Sequence, residues 1–135
     1  VGLPLYGNEL SDRISPVMAG LGMFVKTDKP SGFIGAEAVS RQKKEGVTQK
    51  IAGIELDDRA VPRHGYTVYA GDKPVGVVTT GYRGISVDKS ICMALVDSNC
   101  TSLGTEVQIG IRRKLFGGKI VKKRFYQKHY KNRTN

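Results

Sequence analysis

The sequence lacks tryptophan and contains only two cysteines and two histidines among 135 residues. The cysteines, Cys92 and Cys100, have neither the spacing of a zinc finger nor the number that a disulfide scaffold needs, so we expect reduced thiols and a cytosolic protein. Two histidines, His64 and His129, are too few for a histidine metal cluster. The sequence therefore predicts no metal site.

Long apolar runs are absent as well. The longest, residues 17–25, has nine residues of which two are glycine, whereas a helix that crosses a bilayer needs roughly 18 to 20. No basic stretch leads into an apolar one at the N-terminus, so no secretory signal is visible. Phosphate-loop, zinc-protease, nucleophile-elbow and dinucleotide motifs are also missing. We expect no membrane partner and no self-sufficient active site.

Acidic residues are missing from the last 24 positions. The chain carries 22 basic and 12 acidic residues, a formal charge of +10, and residues 1–111 hold twelve of each. The whole excess therefore follows Ile111. A concentrated positive field predicts an anionic partner near the C-terminus. The alternative is a solvated strand face and tail that only keep the chain soluble.

The pattern along the chain predicts three zones. Residues 1–48 are expected to form an irregular arm that belongs to a preceding domain, with one helix near 35–45 that ends at Gly46. Residues 49–126 are expected to form a C-terminal β-barrel domain, and residues 127–135 a basic tail. The arm has apolar residues that need a covering partner, namely Leu21, Met23, Phe24, Val25, Phe33 and Ile34.

Strand signals recur through the second zone. They predict a mainly β fold in which six antiparallel strands close, or nearly close, into a distorted barrel of Greek-key or jelly-roll type. Turn chemistry is expected at residues 70–73 and 116–118. The six predicted strands are residues 50–56, 66–69, 75–80, 91–96, 107–112 and 119–125.

Three local patterns are candidates for chemistry. The carboxylates of Glu55, Asp57 and Asp58 could do acid–base work, although a solvated strand end is the favoured interpretation. A proline-fixed turn presents Arg63, whose planar guanidinium suits a carboxylate or phosphate; an ordinary surface arginine is the simpler alternative. Residues 122–126 place aromatic rings beside cations, which suits an anionic ligand that contains a ring or, equally, a terminal strand that caps the barrel.

Seven sequence motifs follow one another along the chain, at residues 5–10, 14–16, 19–22, 33–38, 42–46, 61–65 and 76–81. Together and in this order they resemble one known family, the aminomethyltransferase (T-protein) of the glycine cleavage system. The resemblance extends from residue 1 to about Tyr126. Two departures concern local loop shape: Met23 stands where the family usually has tryptophan, and residues 82–86 replace a Ser-Pro turn.

The resemblance implies both a fold and an activity. The family has three domains around a folate pocket, the last being a distorted antiparallel barrel. It takes an aminomethyl group from the lipoyl arm of the H-protein, releases ammonia and passes the one-carbon unit to tetrahydrofolate. By this resemblance, the catalytic aspartate and the main folate-binding residues are expected upstream of Val1. The chain is therefore expected to be a C-terminal portion without a catalytic residue of its own, and to need the missing N-terminal domains.

The resemblance also assigns roles to individual residues. Tyr6, Phe125 and Tyr126 are expected to approach tetrahydrofolate, and Arg63 is expected to face the entrance for the lipoyl arm of the H-protein. These are positioning groups, because orientation of a flexible donor and a planar acceptor supplies much of the catalysis in such transfers. The family works in the bacterial cytoplasm or, in eukaryotes, in the mitochondrial matrix.

A second hypothesis belongs to another class of protein, a small basic barrel that binds nucleic acid. Ten basic residues at one end of the chain, with aromatic residues among them, are compatible with it. No nucleic-acid motif is legible, however, and Tyr66, Tyr69 and Tyr82 lie in the neutral part of the chain. Nucleic acid is therefore the less favoured partner.

Overall fold

One helix and six strands make up the regular structure of residues 1–127, apart from two short 3-10 turns at Gly22–Phe24 and Ser98–Cys100. The computed structural model describes residues 1–127, so nearly all of the predicted basic tail lies outside the described residues. Helix α1 spans Ala36–Glu45 and confirms the helix predicted near 35–45. The strands are β1 (Gln49–Leu56), β2 (Thr67–Ala70), β3 (Lys73–Gly84), β4 (Lys89–Asp97), β5 (Glu106–Ile111) and β6 (Lys114–Val121).

The strands close into one antiparallel barrel in the order β1-β4-β3-β2-β5-β6, and β6 pairs again with β1. Closure leaves none of these six strands of the described residues with an unpaired edge, which removes the hazard of edge-to-edge association. The predicted class, a mainly β chain with a six-stranded antiparallel barrel after an arm with one helix, is confirmed. The predicted turn at residues 70–73 also joins β2 to β3 as expected.

The last strand differs from its prediction. Residues 116–118 do not turn but lie inside β6, and the turn falls at Arg112 and Arg113, where Arg112 adopts a left-handed φ of 59°. The glycines have another purpose here: a Cβ at Gly118 would lie 2.5 Å from the carbonyl oxygen of Glu55. Glycine therefore permits the close approach of β1 and β6. The strand also ends at Val121, four residues before the predicted end.

Two hydrophobic clusters divide the faces of the sheet. The barrel interior is filled by alternating residues such as Ile54, Cys92 and Ile109, which are almost wholly buried. The opposite face of β1 and β4 carries Ile51 and Met93, which pack against the arm. The alternation follows from the two-residue period of a strand, which sends successive side chains to opposite faces.

The barrel covers only part of the apolar arm. Leu21 packs against the second cluster, in the company of Ala19 and Phe125. By contrast Met23, Phe24 and Ile34 are 81%, 75% and 103% exposed. The barrel therefore leaves these three apolar side chains of the arm exposed.

The two cysteines should differ in reactivity. Burial raises the pKa of the Cys92 thiol to about 12, and the thiolate is the reactive form; Cys100 is only partly buried. At pH 8 we expect Ellman's reagent to modify Cys100 in the folded chain and Cys92 only after denaturation. Peptide mapping by mass spectrometry identifies the modified residue. Rapid modification of Cys92 in the folded chain would contradict the burial described for β4.

Candidate functional site

The segment that carries Tyr6 is a tight loop held by its own backbone. The carbonyl oxygen of Leu5 accepts hydrogen bonds from the amides of Asn8, Glu9 and Leu10, at 3.1, 2.9 and 3.2 Å. The Gly7 amide donates to the Leu10 carbonyl at 2.7 Å. The Tyr6 side chain is 76% exposed. The loop therefore presents an aromatic ring outward from a fixed base.

Two side chains fasten this loop to β3. Glu9 is fully buried; its Oε2 accepts from the Leu5 amide at 3.0 Å, and its Oε1 accepts from the Thr79 hydroxyl at 2.6 Å. The Asn8 side-chain amide donates to the Thr80 hydroxyl at 3.0 Å. No local sequence pattern marks Glu9 or Thr79 as functional, because one acidic residue in an irregular arm has no periodic or spacing signal. Only the family resemblance, in residues 5–10 and 76–81, includes these two positions.

Phe125 lies at one edge of a small, mostly apolar cavity next to this loop. The cavity has a volume of about 250 Å³. It also contacts Thr80, the residue to which Asn8 is bonded, so the Tyr6 loop and Phe125 share one face of the barrel. Tyr6 and Tyr126 do not line it; Tyr126 is 39% exposed. The lining residues are Val1, Gly2, Leu3, Thr80, Tyr82, Ile91, Cys92, Met93 and Phe125.

Lys123 holds the segment that carries Phe125 in place. Its Nζ donates to the carbonyl oxygen of Ala19 at 2.9 Å, which ties the C-terminal segment to the arm. Burial lowers the pKa of this lysine below its usual value. A Cβ at Gly53 would lie 3.1 Å from the Phe125 ring. Because glycine has no side chain, the ring can pack closely against β1.

Arg63 lies at a different, larger cavity between the turn of residues 60–65 and the β5–β6 hairpin. The volume is about 740 Å³, and among the described residues the lining includes four basic side chains and no acidic one. Aromatic side chains from Tyr66 and Phe116 form part of the wall. The structure therefore separates Arg63 from Phe125 by placing them at two cavities. The lining residues are Ala60, Val61, Arg63, Tyr66, Ile111, Arg112, Arg113, Lys114 and Phe116.

The turn that carries Arg63 is anchored on β3. Pro62 is buried against Gly81, at which a Cβ would lie 2.5 Å from the Pro62 carbonyl oxygen. The Gly65 amide donates to the Val78 carbonyl at 2.9 Å, and Nδ1 of His64 donates to the Thr79 carbonyl at 2.7 Å. The backbone of the turn is thus fixed while the guanidinium is exposed.

The acidic cluster behaves as a solvated strand end. Glu55 forms an ion pair with Lys89 at 2.9 Å, and this hydrogen bond raises the pKa of the lysine. Asp58 accepts a hydrogen bond from the Ala60 amide at 2.9 Å, which is local turn chemistry.

Within residues 1–127, no group of three metal-ligating side chains comes together. None of the helices there is both long and apolar enough to cross a bilayer.

Comparison with known proteins gives one consistent answer. The family described as the glycine cleavage T-protein C-terminal barrel domain matches residues 49–127. The chain is 49% identical over 130 residues to an aminomethyltransferase of Thermoanaerobacter pseudethanolicus, which covers 96% of this chain and 35% of the relative. It is also 49% identical, over 126 residues, to an aminomethyltransferase of Geobacillus kaustophilus.

A solved structure agrees with these relatives. The crystal structure of the glycine cleavage system aminomethyltransferase T from Bartonella henselae superposes with a TM-score of 0.85 at 28% identity. The match covers 93% of this chain and 36% of that one. The chain thus spans about a third of the length of the relatives that it matches.

Proposed function

Because the chain belongs to the glycine cleavage T-protein family, whose C-terminal barrel domain matches residues 49–127, we propose that it acts as the last part of an aminomethyltransferase. One observation carries the proposal. Nearly the whole chain matches proteins named aminomethyltransferase, and the match covers about a third of the length of each of them. The remaining domains of such an enzyme would then cover the exposed apolar residues of the arm, residues 1–48. The arm would belong to the domain that precedes the barrel.

The proposed reaction transfers one carbon unit between two partners. The aminomethyl group on the lipoyl arm of the H-protein loses its nitrogen as ammonia, and its bond to the lipoyl sulfur breaks to leave a thiol. Its carbon forms two new bonds to nitrogen atoms of tetrahydrofolate, whose protons go to the two leaving groups, and becomes the methylene group of methylenetetrahydrofolate. The catalytic aspartate would be supplied by the preceding domains. The described residues therefore have a positioning role: they shape the cleft in which the donor and the acceptor meet.

The cavity at Phe125 supports a folate-facing wall. Tetrahydrofolate contains a flat pyrimidinone ring and a flat aminobenzoyl ring, and aromatic side chains bind such surfaces by stacking or by edge-to-face contact. Phe125 provides one ring in an apolar cavity, and the exposed Tyr6 provides another on a loop fastened to the same face. Tyr126 follows directly in the chain. We propose these three residues as contacts to the folate.

The basic cavity supports contact with an acidic carrier. Arg63 lies there with Arg112, Arg113 and Lys114, and no carboxylate from the described part of the chain lines the wall. Such a field attracts and steers an anionic surface, and a guanidinium pairs well with carboxylates. We propose Arg63 as the contact to the H-protein near its lipoyl arm.

The free thiols of Cys92 and Cys100 fit a bacterial cytoplasm, which we propose as the compartment.

The proposal predicts that activity needs more than this chain. We expect the purified 135-residue chain, supplied with aminomethyl-loaded H-protein and tetrahydrofolate, to form no methylenetetrahydrofolate above the uncatalysed rate. Joining it to the remaining aminomethyltransferase domains, in one polypeptide or as a mixture, should restore turnover. The release of ammonia provides a second readout. Turnover by the chain alone would overturn the assignment, as would full turnover by the other domains without it.

A further inference from the structure

Strand β3 contains a bulge at Thr79. Val78 pairs with Ala94 and Thr80 pairs with Met93, so Thr79 has no partner of its own in the ladder with β4. A bulge re-aims one residue out of the regular pairing. Thr79 is nevertheless only 5% exposed, so its polar groups must find partners in the protein.

The Thr79 hydroxyl points to the Tyr6 loop. It donates to Glu9 Oε1 at 2.6 Å and lies 3.0 Å from the Met93 carbonyl oxygen. A hydroxyl has only one proton to donate. The hydrogen bond to the Glu9 carboxylate is shorter and is assisted by charge, so it is stronger than a bond to the Met93 carbonyl. Within residues 1–127, no basic side chain forms an ion pair with Glu9. Its carboxylate therefore depends on two donors, the Thr79 hydroxyl and the Leu5 amide.

The Thr79 backbone points to the Arg63 turn. Its carbonyl oxygen can only accept, so the 2.7 Å contact shows that His64 carries its proton on Nδ1 and donates it there. Gly65 is bonded to the residue before the bulge, Val78. One bulged residue is thus hydrogen-bonded through its side chain to the Tyr6 loop and through its carbonyl to the turn of Arg63.

We infer that the Thr79 bulge fixes the proposed folate contact and the proposed carrier contact relative to each other. Glu9, Thr79 and His64 are positioning residues: Glu9 acts through the Tyr6 loop and His64 through the Arg63 turn. The anchoring is a property of this chain, whereas the purpose of the two anchored contacts rests on the proposed function. An enzyme that joins two substrates works faster when it holds both at a fixed distance and orientation relative to each other.

The anchoring is tested in the 135-residue chain by amide hydrogen exchange. Thr79→Val keeps the shape of the side chain but leaves Glu9 with one donor. We expect the Leu5 and Gly7 amides to exchange about tenfold faster or more, while amides of β1 remain protected. Thr79→Ser retains the hydroxyl and should keep the original rates. Unchanged exchange of Leu5 in Thr79→Val would overturn the inference.

The positioning role is tested by kinetics in the whole enzyme that contains this chain. Thr79→Val should raise KM for tetrahydrofolate about tenfold with a smaller change in kcat, and Thr79→Ser should restore it. His64→Ala should instead raise KM for the aminomethyl-loaded H-protein. Normal KM values in both variants would overturn the inference, provided that Tyr6→Ala and Arg63→Ala raise them. If those two direct variants also have normal KM values, the proposed function of these contacts fails, whereas accelerated exchange at Leu5 still supports the anchor.

Discussion

Replacing Gly81 by alanine is expected to destabilise the chain by about 3 kcal/mol or more. A Cβ at this position would lie 2.5 Å from the Pro62 carbonyl oxygen and 2.9 Å from the Cβ of Cys92. Pro62 and Cys92 are themselves buried, so neither can move aside without disturbing the barrel core or the turn of residues 60–65. Urea unfolding followed by circular dichroism gives the change in the free energy of unfolding.

Gly117 provides the matched control. It also lies in a strand, but the nearest atom that an added Cβ would meet is Asp57 Oδ2 at 3.6 Å, an ordinary contact. Gly117→Ala should change the free energy of unfolding by less than about 1 kcal/mol. Equal effects of the two substitutions would show that the loss arises from the backbone preference of glycine rather than from the contact with Pro62.

Reversing the charge of Arg63 is expected to weaken the binding of the proposed carrier, the H-protein, by about tenfold or more at low salt. Arg63→Glu places a carboxylate among the three remaining basic residues of the cavity. An attractive guanidinium is thereby replaced by a group that repels an anionic partner surface. Salt screens exposed charges, and the difference should therefore shrink as the ionic strength rises. Titration calorimetry of the whole enzyme with the H-protein, at 20 and 300 mM salt, measures both effects.

Two further variants separate position from charge. Lys73→Glu makes the same change in net charge at an exposed residue, the first of β3, that does not line the cavity, and it should alter the affinity little. Arg63→Lys keeps the charge but loses the planar pair of donors, so we expect an intermediate effect. A loss of affinity with Lys73→Glu as large as that with Arg63→Glu would mean that net charge, and not this cavity, governs carrier binding.

The predicted strands and the predicted helix were confirmed where their signals are local. Residues 107–111 alternate between apolar and small or polar types, and β5 spans Glu106–Ile111. The carboxylate of Glu37 and the lysines of the last turn predicted α1 correctly. The same reasoning was wrong for residues 116–118, because consecutive glycines are typical both of a turn and of a close strand pair. A local signal cannot tell which partner strand will approach.

The amino-acid sequence by itself determined the period of the strands, the one helix, the excess of basic residues after Ile111 and the family resemblance. These features depend on residue type and on neighbours a few positions away. Only the tertiary structure decided that Glu9 meets Thr79, 70 residues further along the chain, and that Arg63 stands with Arg112 rather than with Phe125. Such contacts depend on how the barrel closes and where β3 bulges, and that register is set by packing across the whole sheet.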